Sequence, residues 1–108
     1  MKFTVPIELP SLTNERLHWR KMAKLKVFQK GTTTLFLRGV SVPTPPVIVT
    51  ITRVGPRRLD DDNLAAACKY VRDAIATHIG TDDGSDLYTW RCEQRIGPYG
   101  VEVEITAR

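Results

Sequence analysis

The 108-residue chain suits one domain with a modest core, and its 42% hydrophobic and 26% charged residues exclude wholesale disorder. No apolar run approaches the roughly 18 residues that cross a bilayer, and MKFTVPIELP lacks the apolar stretch of a signal peptide, so a single cytoplasmic domain over residues 1–108, without a membrane partner, is expected. The net charge of +4 is uneven: residues 1–40 hold Lys2, Arg16, Arg20, Lys21, Lys24, Lys26, Lys30 and Arg38 against Glu8 and Glu15, whereas seven aspartates fall between Asp60 and Asp86. Clustered cations attract polyanions and clustered carboxylates repel phosphate, unless a bound divalent metal intervenes. A plain solvated helix face is the other reading of the basic residues. Cys68 and Cys92 lack the CxxC spacing of a zinc or redox site and are expected to be small buried thiols.

In chain order, FTVPIEL (residues 3–9) predicts a short strand that Pro6 confines to an edge and Pro10 closes. After the turn SLTN, residues 15–38 predict a basic amphipathic helix with Leu17, Met22, Leu25 and Phe28 or Gln29 inward, and with Leu35 and Phe36 continuing that face. Trp19 and His18, near its start, are expected in the core or on DNA. VSVPTPPV is a stiff connection, and VIVTITRV (residues 47–54) is a β-branched strand buried on at least one side. Leu64, Cys68, Val71, Ile75 and Ile79 share one helical face, preceded by the acidic cap residues Asp60 to Asp62 and ended by Gly80, with His78 at the surface. TDDGSD is a turn. LYTWRCEQR and YGVEVEIT then alternate as strands, with IGPYG read as a hairpin between them. The order β-α-β-α-β-β predicts an α+β fold with two helices packed on a mixed sheet.

The stretch LDDDNL admits two readings. As a cap, its carboxylates accept free helix N–H groups. As a metal site, Asp60 and Asp62 alternate along an extended segment and face one point while Asp61 points away, which suits magnesium, an ion that needs only one or two carboxylates beside water and phosphate. The second cluster, Asp82 and Asp83, starts at the far end of the helix. It meets the first only if the chain returns along the helix or if a second subunit supplies it, and it is otherwise a polar turn. At roughly 100° per residue, Asp62, Lys69 and Asp73 share a side of that helix, where Lys69 either pairs with Asp73 or stands beside a phosphate.

Residues 57–86, RRLDDDNL, AAACKYVRDAIATHIG and TDDGSD, resemble the RusA family of Holliday junction resolvases, frequent in phages and prophages, and ELPSLTNER resembles the family's start. Asp60, Asp62, Asn63 and Leu64 fit its D-x-D-N-L, and Asp83, preceded by Asp82, fits its later aspartate. The family places a lysine four residues after the second aspartate, where this chain has Ala66, and Lys69 is taken in its place. The resemblance implies a RusA-like homodimer that cuts branched DNA such as Holliday junctions with magnesium, or manganese, in recombination and repair. Asp60, Asp62, Asp83 and Lys69 would be catalytic, Asp82 a further metal ligand and Asn63 their support. Arg57, Arg58, Arg16, Arg20, Lys21 and Lys24 would hold phosphates. The alternative is a DNA-binding accessory protein that kept the fold without the activity.

Overall fold

The first strand, β1 (Lys2–Val5), stops where Pro6 removes a ladder donor, and it forms one edge of a four-stranded sheet, as Pro6 predicts. The computed structural model describes residues 1–10, 19–80 and 86–108. After β1 come α1 (Trp19–Leu37), β2 (Val47–Gly55), α2 (Asp61–Ile79), β3 (Tyr88–Ile96) and β4 (Gly100–Ala107), in the expected β-α-β-α-β-β order. The fold is α+β, with two helices on a mixed sheet of strand order β1-β4-β2-β3. Among the described residues no helix is long and apolar enough to cross a membrane.

The hairpin expected at IGPYG does not form. The strands on either side, β3 and β4, do not pair, because β2 lies between them, parallel to β3 and antiparallel to β4. Charge explains the order: β3 carries Arg91, Glu93 and Arg95, which belong at an edge, whereas β2 has β-branched residues that are buried on one side and half-buried on the other. The link must therefore cross two strand spacings, roughly 10 Å, which three residues can span when extended. It does so over the end of β2, where the Gly97 N–H donates to the Gly55 carbonyl at 3.0 Å. A Cβ on Gly97 would stand 3.0 Å from Val54 Cγ1, so a side chain there would require Val54 to shift.

One face of the sheet supplies Val5, Val47, Val49, Ile51, Val101, Val103 and Ile105 to the core. The α2 stripe meets them with Leu64, Ala67, Cys68, Val71 and Ile75 fully buried, as its spacing predicts, while Ile79 is half-buried. Gly80 closes α2 at φ 77°, its N–H reaching the carbonyls of Ala76 and Thr77. His78 is exposed. The opposite face of the sheet carries Thr50, Thr52, Glu93, Glu102 and Glu104, with Arg95 paired to Glu102.

The inward face of α1 keeps Met22 and Leu25 half-buried and takes Gln29 rather than Phe28, but departs from expectation beyond it. Gln29, Thr33 and Leu37, at i, i+4 and i+8, are buried, whereas Phe28, Leu35 and Phe36 are exposed. Leu37 alone of the three buried residues joins the apolar core, so the contact of α1 depends on the i+4 row rather than on its largest side chains. Trp19 is 68% exposed, which overturns a core position for it.

Arg53 ends β2 with its side chain 4% exposed, and a Cβ at Gly55 would lie 2.9 Å from its Nη1 and 3.0 Å from its Cζ. Because that guanidinium is held by two carbonyls, Gly55→Ala is expected to cost about 1–3 kcal/mol and to lower the melting temperature by roughly 4 °C or more. A melting temperature equal to wild type would show that the guanidinium yields freely.

Candidate nucleic-acid and metal site

Two side chains that no motif singles out place the start of α2. Arg53 Nε donates to the Leu9 carbonyl at 2.7 Å and Nη1 to the Arg57 carbonyl at 2.8 Å. The first carbonyl belongs to the chain leaving β1, the second to the chain leaving β2. One buried cation thus ties both departures to the same end of the sheet, and the bonds offset part of its desolvation. Among the described residues no carboxylate forms an ion pair with it. From the neighbouring strand, Gln94 closes a two-bond amide pair with the Leu59 backbone, accepting from its N–H at 2.8 Å and donating to its carbonyl at 2.7 Å. Leu59 is the residue before Asp60.

Asp60 is the N-cap of α2, extended at φ −69° and ψ 168°, and its Oδ1 accepts the Asn63 N–H at 2.9 Å. The cap reading of LDDDNL is therefore realised. Asp61 and Asp62 lie inside the first helical turn, so Asp60 and Asp62 are not an alternating pair on an extended segment. The helix begins three residues before Leu64 because the carboxylate cap and the helix dipole both favour acidic residues there. All three aspartates are exposed, while Asn63 is 7% exposed beneath them. A carboxylate has two oxygens, so Asp60 keeps one acceptor beyond the cap bond.

Lys69 is exposed, and it forms no ion pair with Asp73, although the two stand four residues apart. Ala66, where the RusA family has its lysine, is half-buried. Asp82 and Asp83 lie outside the described residues. Gly80, the described residue before them, stands at the opposite end of α2 from Asp60, about 28 Å away for 19 residues at 1.5 Å each. Among the described residues no three His, Cys, Asp or Glu side chains come together to hold a metal.

Beside the acidic turn, Arg57 and Arg58 are both exposed. At the start of α1, Arg20, Lys21 and Lys24 are exposed, and the Arg20 guanidinium lies 5.2 Å from the Trp19 ring centroid, close enough for a cation–π contact. Arg16 and His18 fall outside the described residues. The strands β1, β2 and β3 all run in one direction, so α2 begins at the end of the sheet where they finish; α1 leads into β2 beside the end of α2, and its Gln29 donates to the Glu8 carbonyl just past β1, so α1 runs from that same end. The structure thus brings the basic start of α1 and the acidic start of α2 to one end of the molecule.

Protein-family models, curated proteins and solved structures were all searched, and none matches this chain.

Gln94→Ala would leave the Leu59 N–H and carbonyl half-buried without their partner, at an expected cost of about 1–3 kcal/mol. Urea unfolding should register that loss at an unchanged slope. Asp60→Ala should cost about 1 kcal/mol, whereas Asp60→Asn, an equally good cap, should melt with wild type. Equal stability of the alanine and asparagine variants would contradict the capping role.

Proposed function

We propose that this chain is a RusA-like, magnesium-dependent, structure-selective endodeoxyribonuclease that cuts phosphodiester bonds in branched DNA. The observation that carries this reading is the exposed group Asp60, Asp61 and Asp62 at the α2 N-terminus, beside Arg57 and Arg58 and at the same end of the sheet as the basic start of α1. These residues suit the ion: they are hard, exposed carboxylate oxygens, and magnesium takes one or two of them while water and phosphate complete its shell. Asp62 and the second oxygen of Asp60 would hold it, with manganese an acceptable substitute. Bound there, the ion would polarise the scissile phosphodiester and make a water nucleophilic.

The chain's own groups do the rest. The buried Asn63 fixes Asp60 through its N–H, and Gln94 and Arg53 fix the segment that precedes it. Lys69 stabilises the negative charge that develops on the phosphoryl oxygens. Arg57, Arg58, Arg16, Arg20, Lys21 and Lys24 take backbone phosphates, which orients the DNA arms without reading their sequence. The described residue before Asp82 and Asp83 lies at the far end of α2, and we therefore assign the carboxylates that complete each site to the second copy in a homodimer. Ala66, in place of the RusA family's lysine, favours the second reading, a non-catalytic DNA-binding accessory protein.

A labelled four-way junction incubated with magnesium tests both. Wild type should nick it, and Asp60→Asn, Asp62→Asn, Asp83→Asn and Lys69→Ala should each lose at least about a hundredfold in rate, as when a group that stabilises transition-state charge is removed. Mixed Asp62→Asn and Asp83→Asn subunits should regain nicking, because each mixed dimer then holds one intact site. Junction binding without nicking by wild type, unchanged in Asp62→Asn, would establish the accessory role instead.

A further inference from the structure

Cys92 was expected to be buried, yet it is exposed on edge strand β3, while Cys68 is 2% exposed on α2. The two thiols stand close enough to act on each other's ionisation. The backbone agrees: Cys92 Sγ lies 3.9 Å from the Leu64 carbonyl, the same oxygen that accepts the helical N–H of Cys68 four residues on. Both thiols line a cavity of about 60 Å³ with Ala65, Arg72 and Trp90. That volume admits a molecule the size of one or two waters and excludes a peptide or nucleotide. The Arg72 guanidinium sits 5.0 Å over the Trp90 ring, so the cavity has a cation beside it.

The two thiols differ in kind. Cys92 is held below the ordinary thiol value, first by the hydrogen bond from Cys68 and then by the charge of Arg72, against the effect of its burial. The same bond, followed by burial and the Cys92 charge, pushes Cys68 up, with Arg53 opposing. Cys92 is therefore the accessible thiol, the more readily ionised of the two, and Cys68 is the buried partner behind it. A thiolate is the nucleophilic form, and exposure gives it access to oxidant.

We propose that Cys68 and Cys92 are an oxidisable thiol pair whose substrate is a small hydroperoxide. The Cys92 thiolate attacks the terminal peroxide oxygen. The O–O bond breaks, hydroxide (or alkoxide) leaves and takes a proton, and Cys92 becomes a sulfenic acid. Cys68, losing its proton, attacks the Cys92 sulfur and displaces that oxygen as water, which closes a disulfide between α2 and β3. One peroxide is reduced by two electrons for each disulfide formed. This chemistry is independent of DNA cleavage, and it places a covalent tie between β3 and the helix whose leading segment Gln94 holds by hydrogen bonds.

Hydrogen peroxide added to the reduced, full-length protein tests the pair. The expected product is monomeric, has lost both of its two titratable thiols and two hydrogens in intact mass, and gives a linked Cys68–Cys92 peptide that dithiothreitol separates. In Cys68→Ser the reaction should stop at a Cys92 sulfenic acid that dimedone traps, and Cys92→Ser should consume peroxide at least tenfold more slowly. Retention of both thiols, or loss of Cys92 alone through a disulfide between two chains, would overturn the proposal.

Discussion

A single buried guanidinium sets where the two halves of the site can meet. Arg53 lies near the end of β2, reaches one carbonyl on each of the two chain segments that leave the sheet there, and crowds any side chain placed at Gly55. Buried charges are costly unless their hydrogen bonds are satisfied, so this residue stabilises one arrangement of its surroundings strongly and others poorly. The consequence is positional: the segment that leads into the acidic start of α2 is held from inside β2, beside the chain that leaves β1.

The acidic turn divides its carboxylates between structure and surface. Asp60 spends one oxygen on the helix it begins, Asp61 and Asp62 add charge where the helix dipole favours it, and all three remain exposed. A helix N-terminus that carries aspartates rather than phosphate is electrostatically poor at receiving DNA unless a cation accompanies it, which is why a metal belongs in the proposed chemistry. Cap and metal ligand are thus compatible roles for one residue, and they differ in what Asp→Asn removes: charge, but not the capping oxygen.

Local features were legible in the chain. The β-branched run of β2, the stripe on α2, the glycine at its end and the acidic cap all follow from short-range stereochemistry and appear within a residue or a few of where the sequence places them. Long-range features were not. The short IGPYG link reads as a hairpin because chain proximity is visible and strand order is not, although the charges on Arg91, Glu93 and Arg95 already marked β3 as an edge. On α1, hydrophobic spacing left Phe28 or Gln29 inward and continued the face through Leu35 and Phe36, but the face that meets the rest of the fold runs through Gln29, Thr33 and Leu37. Arg53 and Gln94 escaped notice for a related reason: an arginine in a strand and a glutamine in an edge strand signal nothing until the carbonyls and amides they hold are brought beside them. Of the proposed site, the first acidic cluster and its exposure were readable, whereas Asp82, Asp83 and Arg16 fall outside the described residues.

The nuclease reading depends on the α2 start holding a divalent cation through Asp62. Calorimetric titration of manganese into the protein with four-way junction DNA measures this directly, with wild type set against Asp62→Asn of equal melting temperature. The account predicts saturable binding in wild type that the variant loses. Equal heats for the two proteins, or none for either, would contradict it and leave LDDDNL as a helix cap alone.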